Sequence, residues 1–191
     1  MSDDLFDLVA EPTAELLPLD GSEGLRRIFS CFPTGVAALC ALVDGVPVGM
    51  IASSFTAVSL SPPLVSIYMR ESSETWPQLR RASSVGITVL SESQEVQCRR
   101  LATREGDRFA DVGWRSNGDD TILIEGGCAV LRCTVFAEIP AGDHILVLFE
   151  IHSAGAAPEL SPLVFHASRF GRLERSHDRE THSHGELSIY F

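Results

Sequence analysis

Gly49-Met50-Ile51-Ala52-Ser53-Ser54-Phe55 decides the fold, read together with Ser59-Leu60-Ser61-Pro62-Pro63-Leu64-Val65 shortly after it. The first stretch begins as an apolar run with strand character and ends in Ala52, Ser53 and Ser54, all small, two with hydroxyls. A second strand starts beyond the double proline. Small side chains at a strand end let a flat ligand approach the main chain closely. Hydroxyls and exposed N–H groups can then bind its polar edge. That layout suits a flavin ring better than a bare phosphate or a metal.

Outward from this stretch the strands multiply. Ala37 to Val43 reads as a strand, Asp44-Gly45 as a hairpin turn, and Val46 to Ile51 as the returning strand. Further strands are expected over Leu64 to Met69, Val85 to Leu90, Ala129 to Ala137, Ile145 to Ile151 and Leu163 to His166. Helices are fewer and short. One begins at Ser22 and runs through Leu25, Ile28 and Phe29 until Pro33 and Gly35 stop it. Another, capped by Thr75, runs through Trp76, Leu79 and Ala82, with Pro77 tolerated in its first turn. A third spans about Gln94 to Ala102. Many strands without regular strand–helix alternation, and no G-x-G-x-x-G, argue against a dinucleotide-binding parallel sheet. The expected class is mainly β: a closed or nearly closed antiparallel barrel with peripheral helices, since closure removes exposed edges. Residues 1–21 read as a loosely ordered acidic arm, 22–173 as the barrel domain and 174–191 as a polar tail.

Composition excludes several classes. The 191-residue chain is 45% hydrophobic and 21% charged, as a globular domain is. Its net charge of −11 argues against a nucleic-acid surface, which needs a basic stripe. No lysine occurs, so a Schiff-base lysine and a P-loop lysine are both ruled out, while arginine remains for bidentate anion recognition. The 5 cysteines form no C-x-x-C pair and suggest free thiols in a reducing cytoplasm rather than a disulfide framework or zinc site. Neither a signal peptide nor a membrane-spanning run is expected. His177, His182 and His184 read as part of the tail, not as a metal site.

The order of the motifs resembles the flavin reductase-like family, whose members fold as an FMN-binding split barrel. The similarity runs from Leu25 to Leu173. It is carried by Phe32-Pro33-Thr34-Gly35-Val36, the Gly49 and Ser61 stretches, Ser73-Glu74-Thr75, Gly106-Asp107-Arg108-Phe109, Trp114, Ala141-Gly142-Asp143-His144 and the strand Leu163 to His166. The resemblance implies a homodimer that passes hydride from NADH or NADPH to FMN or FAD and supplies a separate flavin-dependent monooxygenase. The family commonly has threonine at Ile51, and glycine and tyrosine where this chain has Ser168 and Phe170. Two other readings stay open: a resident flavin acting on an organic substrate, and a non-catalytic flavin-binding dimer.

Hydride transfer to a flavin asks the protein for geometry and polarity rather than a catalytic triad, and no G-x-S-x-G elbow occurs. Met50, Ile51, Ala52, Ser53 and Ser54 are the expected ring contacts, against an ordinary strand end with exposed serines, with Thr34 nearby by resemblance. Ser73 and Thr75 suit a phosphate at a helix start, although plain capping explains them equally well. Arg81 could add charge there or simply line a solvated face. Arg108 could pair with a phosphate and Phe109 cover a ring, against an exposed arginine and a core phenylalanine. His144, by resemblance, lies on the nicotinamide side; the alternative is a turn residue. His152 and His166 read as structural.

Overall fold

The computed structural model describes residues 14–16, 18, 21–116 and 118–173. Most of the expected arm and all of the expected tail, with its three histidines, lie outside these residues.

The hairpin forms where Asp44-Gly45 places it. Both residues take positive φ, 53° and 78°, as the tight turn between β2 (Ala37–Val43) and β3 (Val46–Ala52) requires. β2 reads as an unbroken apolar run because both of its faces are covered. Ala37, Leu39 and Ala41 enter one buried cluster, and Ala38 and Cys40 enter another.

Seven antiparallel strands follow the order β3-β2-β6-β9-β10-β5-β4, where β4 is Thr56–Leu60, β5 Pro63–Arg70, β6 Val85–Val89, β9 Ala129–Ala141 and β10 His144–Ala156. The edge strands β3 and β4 are consecutive in sequence but not hydrogen-bonded to each other, so the barrel is split rather than closed. Leu39, Ile67, Ile87 and Phe149 fill its interior. The four-residue α2 (Trp76–Leu79) plugs one end, with Trp76 edge-on to Phe149 at 5.8 Å between ring centres.

A second layer covers the outer face of β2. It comprises α3 (Glu95–Leu101), the small hairpin of β7 (Trp114–Ser116) and β8 (Ile122–Ile124), and a sheet of β1 (Thr34–Gly35), β11 (Val164–His166) and β12 (Arg169–Gly171). Cys98, Leu101, Ile122 and Ile124 pack there. Burial pushes the Cys98 thiol up to about 11 and the Cys133 thiol up to about 12, so neither is a ready nucleophile. α1 (Gly21–Phe29) buries no residue, and Ile28 and Phe29 stand exposed on it. No helix among the described residues is long and apolar enough to cross a membrane.

Several elements depart from expectation. The helix expected to reach Ala82 stops at Leu79: the Arg80 N–H still bonds to the Trp76 carbonyl, but those of Arg81 and Ala82 bond only to carbonyls three residues back, in tight turns. The helix expected from Gln94 begins as a 3-10 turn over Glu92–Gln94 before α3. The strands β1, β4, β7, β8 and β12 were not expected at all.

One ion pair locks the second layer to the sheet. The Arg132 guanidinium on β9 donates to Asp119 Oδ2, and the Thr121 N–H donates to Asp119 Oδ1 at 2.9 Å. Desolvation pulls the Asp119 carboxyl up, but these two donors outweigh it and hold the group at about 2, below the ordinary 3.8. A depressed carboxylate stabilises above its unfolded pKa and loses that contribution as pH falls through the folded one. Asp119 therefore contributes on the order of 1–2 kcal/mol at neutral pH. That contribution is expected to vanish between about pH 4 and pH 2. Urea melts of Asp119→Asn should be flatter over that window; a slope equal to wild type would mean the pair contributes nothing.

Candidate functional site

The split between β3 and β4 opens into a cleft of about 560 Å³, within the ~300–1,000 Å³ usual for small-molecule sites. Its floor is the end of β3: Met50, Ile51, Ala52, Ser53 and Ser54 all line it. The strand's alternation sorts them. Ala52 and Met50 pack toward the barrel interior, and Ile51 toward the second layer. Ser53 is exposed, as a residue touching a ligand would be. Ser54 differs from expectation in one respect. Its Oγ accepts from the Tyr68 N–H at 3.0 Å and lies 3.4 Å from the Tyr68 carbonyl, replacing the ladder bonds β4 no longer makes. That hydroxyl is committed to the split itself, so among the pair Ser53 carries the hydroxyl left for a ligand.

The opposite wall comes from the end of β5 and the turn after it. Tyr68, Arg70, Ser72, Ser73 and Thr75 line the cleft. The cap expected of Thr75 is made by Ser73, whose Oγ accepts from the Trp76 N–H at 3.1 Å. Thr75 takes helical angles (φ −87°, ψ −38°), with no side-chain capping bond. Its Oγ1 instead accepts from Arg108 at 3.0 Å.

Arg108 also donates to the Gly49 carbonyl at 3.0 Å, so one guanidinium ties β3, the turn before α2 and the long loop together. Asp107 makes this arrangement by accepting from the Phe109 N–H at 2.9 Å. The turn sends Arg108 to the cleft and Phe109 into the core, where it is 8% exposed and edge-on to Trp114. Phe109 is thus a packing residue and does not line the cleft. Gly49, which opens the decisive stretch, is explained by it: a Cβ there would lie 2.8 Å from both Phe109 Cζ and Cys40 Sγ.

His144 is the first residue of β10, pairs in register with Arg70 and lines the cleft. Its Nδ1 lies 2.7 Å from Asp143 Oδ1. The hydrogen bond from His144, with its charge, holds the exposed Asp143 carboxyl below its ordinary value. An ionised carboxylate only accepts, so Nδ1 carries the proton and Nε2 is the nitrogen left for a ligand.

The structure does not bring every expected residue here. Arg81 pairs with Asp44 at 2.7 Å by the β2–β3 turn and does not line the cleft, which agrees with the solvated-face alternative. Thr34 sits in the small sheet opposite Phe165 and is likewise absent from the wall. His166 is exposed at the end of β11, and His152 Nε2 lies 2.8 Å from Thr134 Oγ1. Among the described residues no cluster suits a metal ion. Sequence reasoning missed Tyr68, Arg70 and Arg104. The first two had a signal: polar Ser66, Tyr68 and Arg70 alternate with buried Ile67 and Met69. Arg104, in irregular chain after α3, had none.

A split antiparallel barrel with a cationic cleft against a strand end of small residues defines a nucleotide- or flavin-binding class. The family description "Flavin reductase like domain" matches residues 29–174. An FMN reductase (NADH), SmoA, of Agrobacterium fabrum is 36% identical over 156 residues, 82% of this chain and 88% of that protein. The reductase subunit HsaB of a flavin-dependent monooxygenase from Mycobacterium tuberculosis is 30% identical over 167 residues, 86% of this chain and 89% of its own. Among solved structures, the Streptomyces globisporus NADH:FAD oxidoreductase SgcE6 with NAD and FAD fragments superposes with a TM-score of 0.79 at 34% identity, covering 86% of this chain and all of that one. The chain belongs to the flavin reductase-like family.

Proposed function

We propose that the protein is an NAD(P)H:flavin oxidoreductase, taking hydride from NADH or NADPH to free FMN or FAD and releasing reduced flavin to a partner monooxygenase. The observation that carries this is the strand end at the split, where exposed Ser53 and the main chain of Ala52 face a cleft bordered by Arg70, Arg104 and Arg108. A planar ring lies against small side chains there, and the arginines meet its phosphate. The flavin supplies the hydride-accepting atom when bound. Ser53 orients the ring edge, Arg108 holds the two walls at fixed spacing, and Nε2 of His144 steadies the donor's carboxamide or the charge left on the reduced ring. Relatives named as an FMN reductase and as the reductase subunit of a monooxygenase support flavin as the substrate and an oxygenase as its consumer.

The functional unit is the barrel domain, 22–173. A homodimer is supported by apolar side chains on its outer face: Tyr68, Leu146 and Ile139 stand in register across β5, β10 and β9, and Tyr68 and Ile139 are 45% and 46% exposed. The cytoplasm, where reduced nicotinamide nucleotides are kept, suits the activity.

His144→Ala is expected to raise the KM for NAD(P)H about tenfold, roughly 1.4 kcal/mol, while the flavin KM moves less than threefold. Anaerobic stopped-flow reduction measures both. An unchanged nicotinamide KM would remove His144 from this role.

A further inference from the structure

The chain crosses the split in Ser53-Ser54-Phe55, between the end of β3 and the start of β4. The register of β4 on β5 continues into that crossing: Thr56 lies opposite Ser66, so two residues earlier Ser54 stands opposite Tyr68. In a regular antiparallel pair, a residue bonded to its opposite number answers that residue's N–H and C=O through its own main chain. Ser54 answers both through one side-chain oxygen. Its Oγ accepts from the Tyr68 N–H at 3.0 Å, and its hydroxyl is directed at the Tyr68 carbonyl, 3.4 Å away. The main chain thus stands off from β5 by the length of a serine side chain. On its other side Tyr68 is held in the sheet, opposite Leu146 of β10. The far end of the same stretch is also fixed, because the Gly49 carbonyl accepts from Arg108 at 3.0 Å. The cleft floor from Met50 to Ser53 is therefore suspended between two anchors, Gly49 and Ser54.

We propose that Ser54 is a positioning residue: by answering both main-chain groups of Tyr68 it sets the spacing between the cleft floor and the β5 wall, and so where the flavin ring sits, without touching the ring. The inference rests on the cleft being the flavin site and gives one residue of that site its task. Phe55 also secures the crossing, by packing against the barrel cluster. Apolar contact is non-directional, however, and leaves the rotation of the chain open. Two hydrogen bonds on one oxygen close that freedom, because each has a preferred direction. Ser53, the preceding residue, presents its exposed side chain to the cleft from the turn so fixed. A hydroxyl one carbon from the main chain is what the task requires. Alanine leaves the Tyr68 N–H and C=O to water, and threonine keeps the oxygen at the same reach.

Hydrogen exchange on the flavin-free, full-length protein reads the bond itself. The Tyr68 amide is expected to exchange at least about tenfold faster in Ser54→Ala than in wild type. Anaerobic stopped-flow reduction reads the consequence. Ser54→Ala is expected to raise the flavin KM about tenfold and the NADH KM less than about threefold, since the floor carries the flavin and not the donor. Ser54→Thr should bring both the exchange rate and the flavin KM back to within about threefold of wild type. Unchanged Tyr68 exchange in Ser54→Ala would overturn the proposal, and beside a raised flavin KM it would mean that the hydroxyl serves the flavin directly. An unchanged flavin KM, an equal rise in both KM values, or a threonine variant no better than alanine would each overturn it as well. Failure of the wider flavin reading shows itself differently, as wild-type protein that does not bleach FMN with NADH, and leaves the exchange result standing on its own.

Discussion

Ser53→Trp is expected to abolish flavin saturation, raising the flavin KM more than a hundredfold, a loss above about 2.7 kcal/mol. Ser53 is exposed on the wall of the cleft at the end of β3, at the point where the proposed ring must touch main chain. An indole there fills the space the ring needs, whatever rotamer it takes. Because the side chain is exposed, folding stability should change by no more than about 0.5 kcal/mol. Ser53→Ala separates shape from hydrogen bonding: it removes one hydroxyl, worth about 0.5–1.5 kcal/mol, and should raise the flavin KM only severalfold. Steady-state kinetics with each variant, beside a thermal melt, measures all of this. Wild-type saturation by Ser53→Trp would place the flavin somewhere else on the molecule.

Gly86→Ala is expected to have the largest effect on the fold. Gly86 lies in β6, in register with Cys40 of β2 and Arg132 of β9, near the middle of the seven-stranded sheet. A Cβ there would sit 1.9 Å from the Ile122 carbonyl oxygen and 2.7 Å from its carbon. Both are backbone atoms, so no rotamer relieves the clash and β8 must move away from the sheet. Ile122 and Ile124 would leave the second buried cluster with it. A cost of about 4 kcal/mol or more follows, at the extreme of single substitutions. Urea unfolding, or loss of soluble protein on expression, reports it. A melt within about 1 kcal/mol of wild type would mean that β8 does not press on β6 as described.

The parts of this fold that were legible in the sequence are those where local and long-range demands agree. β2, its turn and β3 could be read because a strand buried on both faces is apolar throughout and its turn needs residues that tolerate positive φ. β4 could not, because Thr56-Ala57-Val58-Ser59-Leu60 is an edge strand, largely exposed, and shows no clean alternation. β7 and β8 are three residues each, too short for a period to show. The site was legible to a similar degree. Its floor followed from small side chains at a strand end read together with the surrounding family motifs, and His144 followed from family resemblance. Arg108 and Phe109 were inseparable in sequence, yet one faces the cleft and the other the core, because an Asp107 turn divides them. Nothing local shows that Ser54 bonds to Tyr68, 14 residues away, while Ser53 stays free to meet a ligand. Thr75 was misread for a similar reason: its hydroxyl is claimed by Arg108, 33 residues distant, and the cap falls to Ser73.

The central claim is that the strand end at the split binds a flavin and presents it to a reduced nicotinamide. Anaerobic mixing of the purified protein with NADH or NADPH and a series of FMN or FAD concentrations tests it most directly, by following loss of the oxidised flavin's visible absorbance. The account predicts bleaching at a rate that saturates in flavin for the wild-type protein and does not for Ser53→Trp. Bleaching no faster than without protein, or a rate that stays linear in flavin for both proteins, would contradict it.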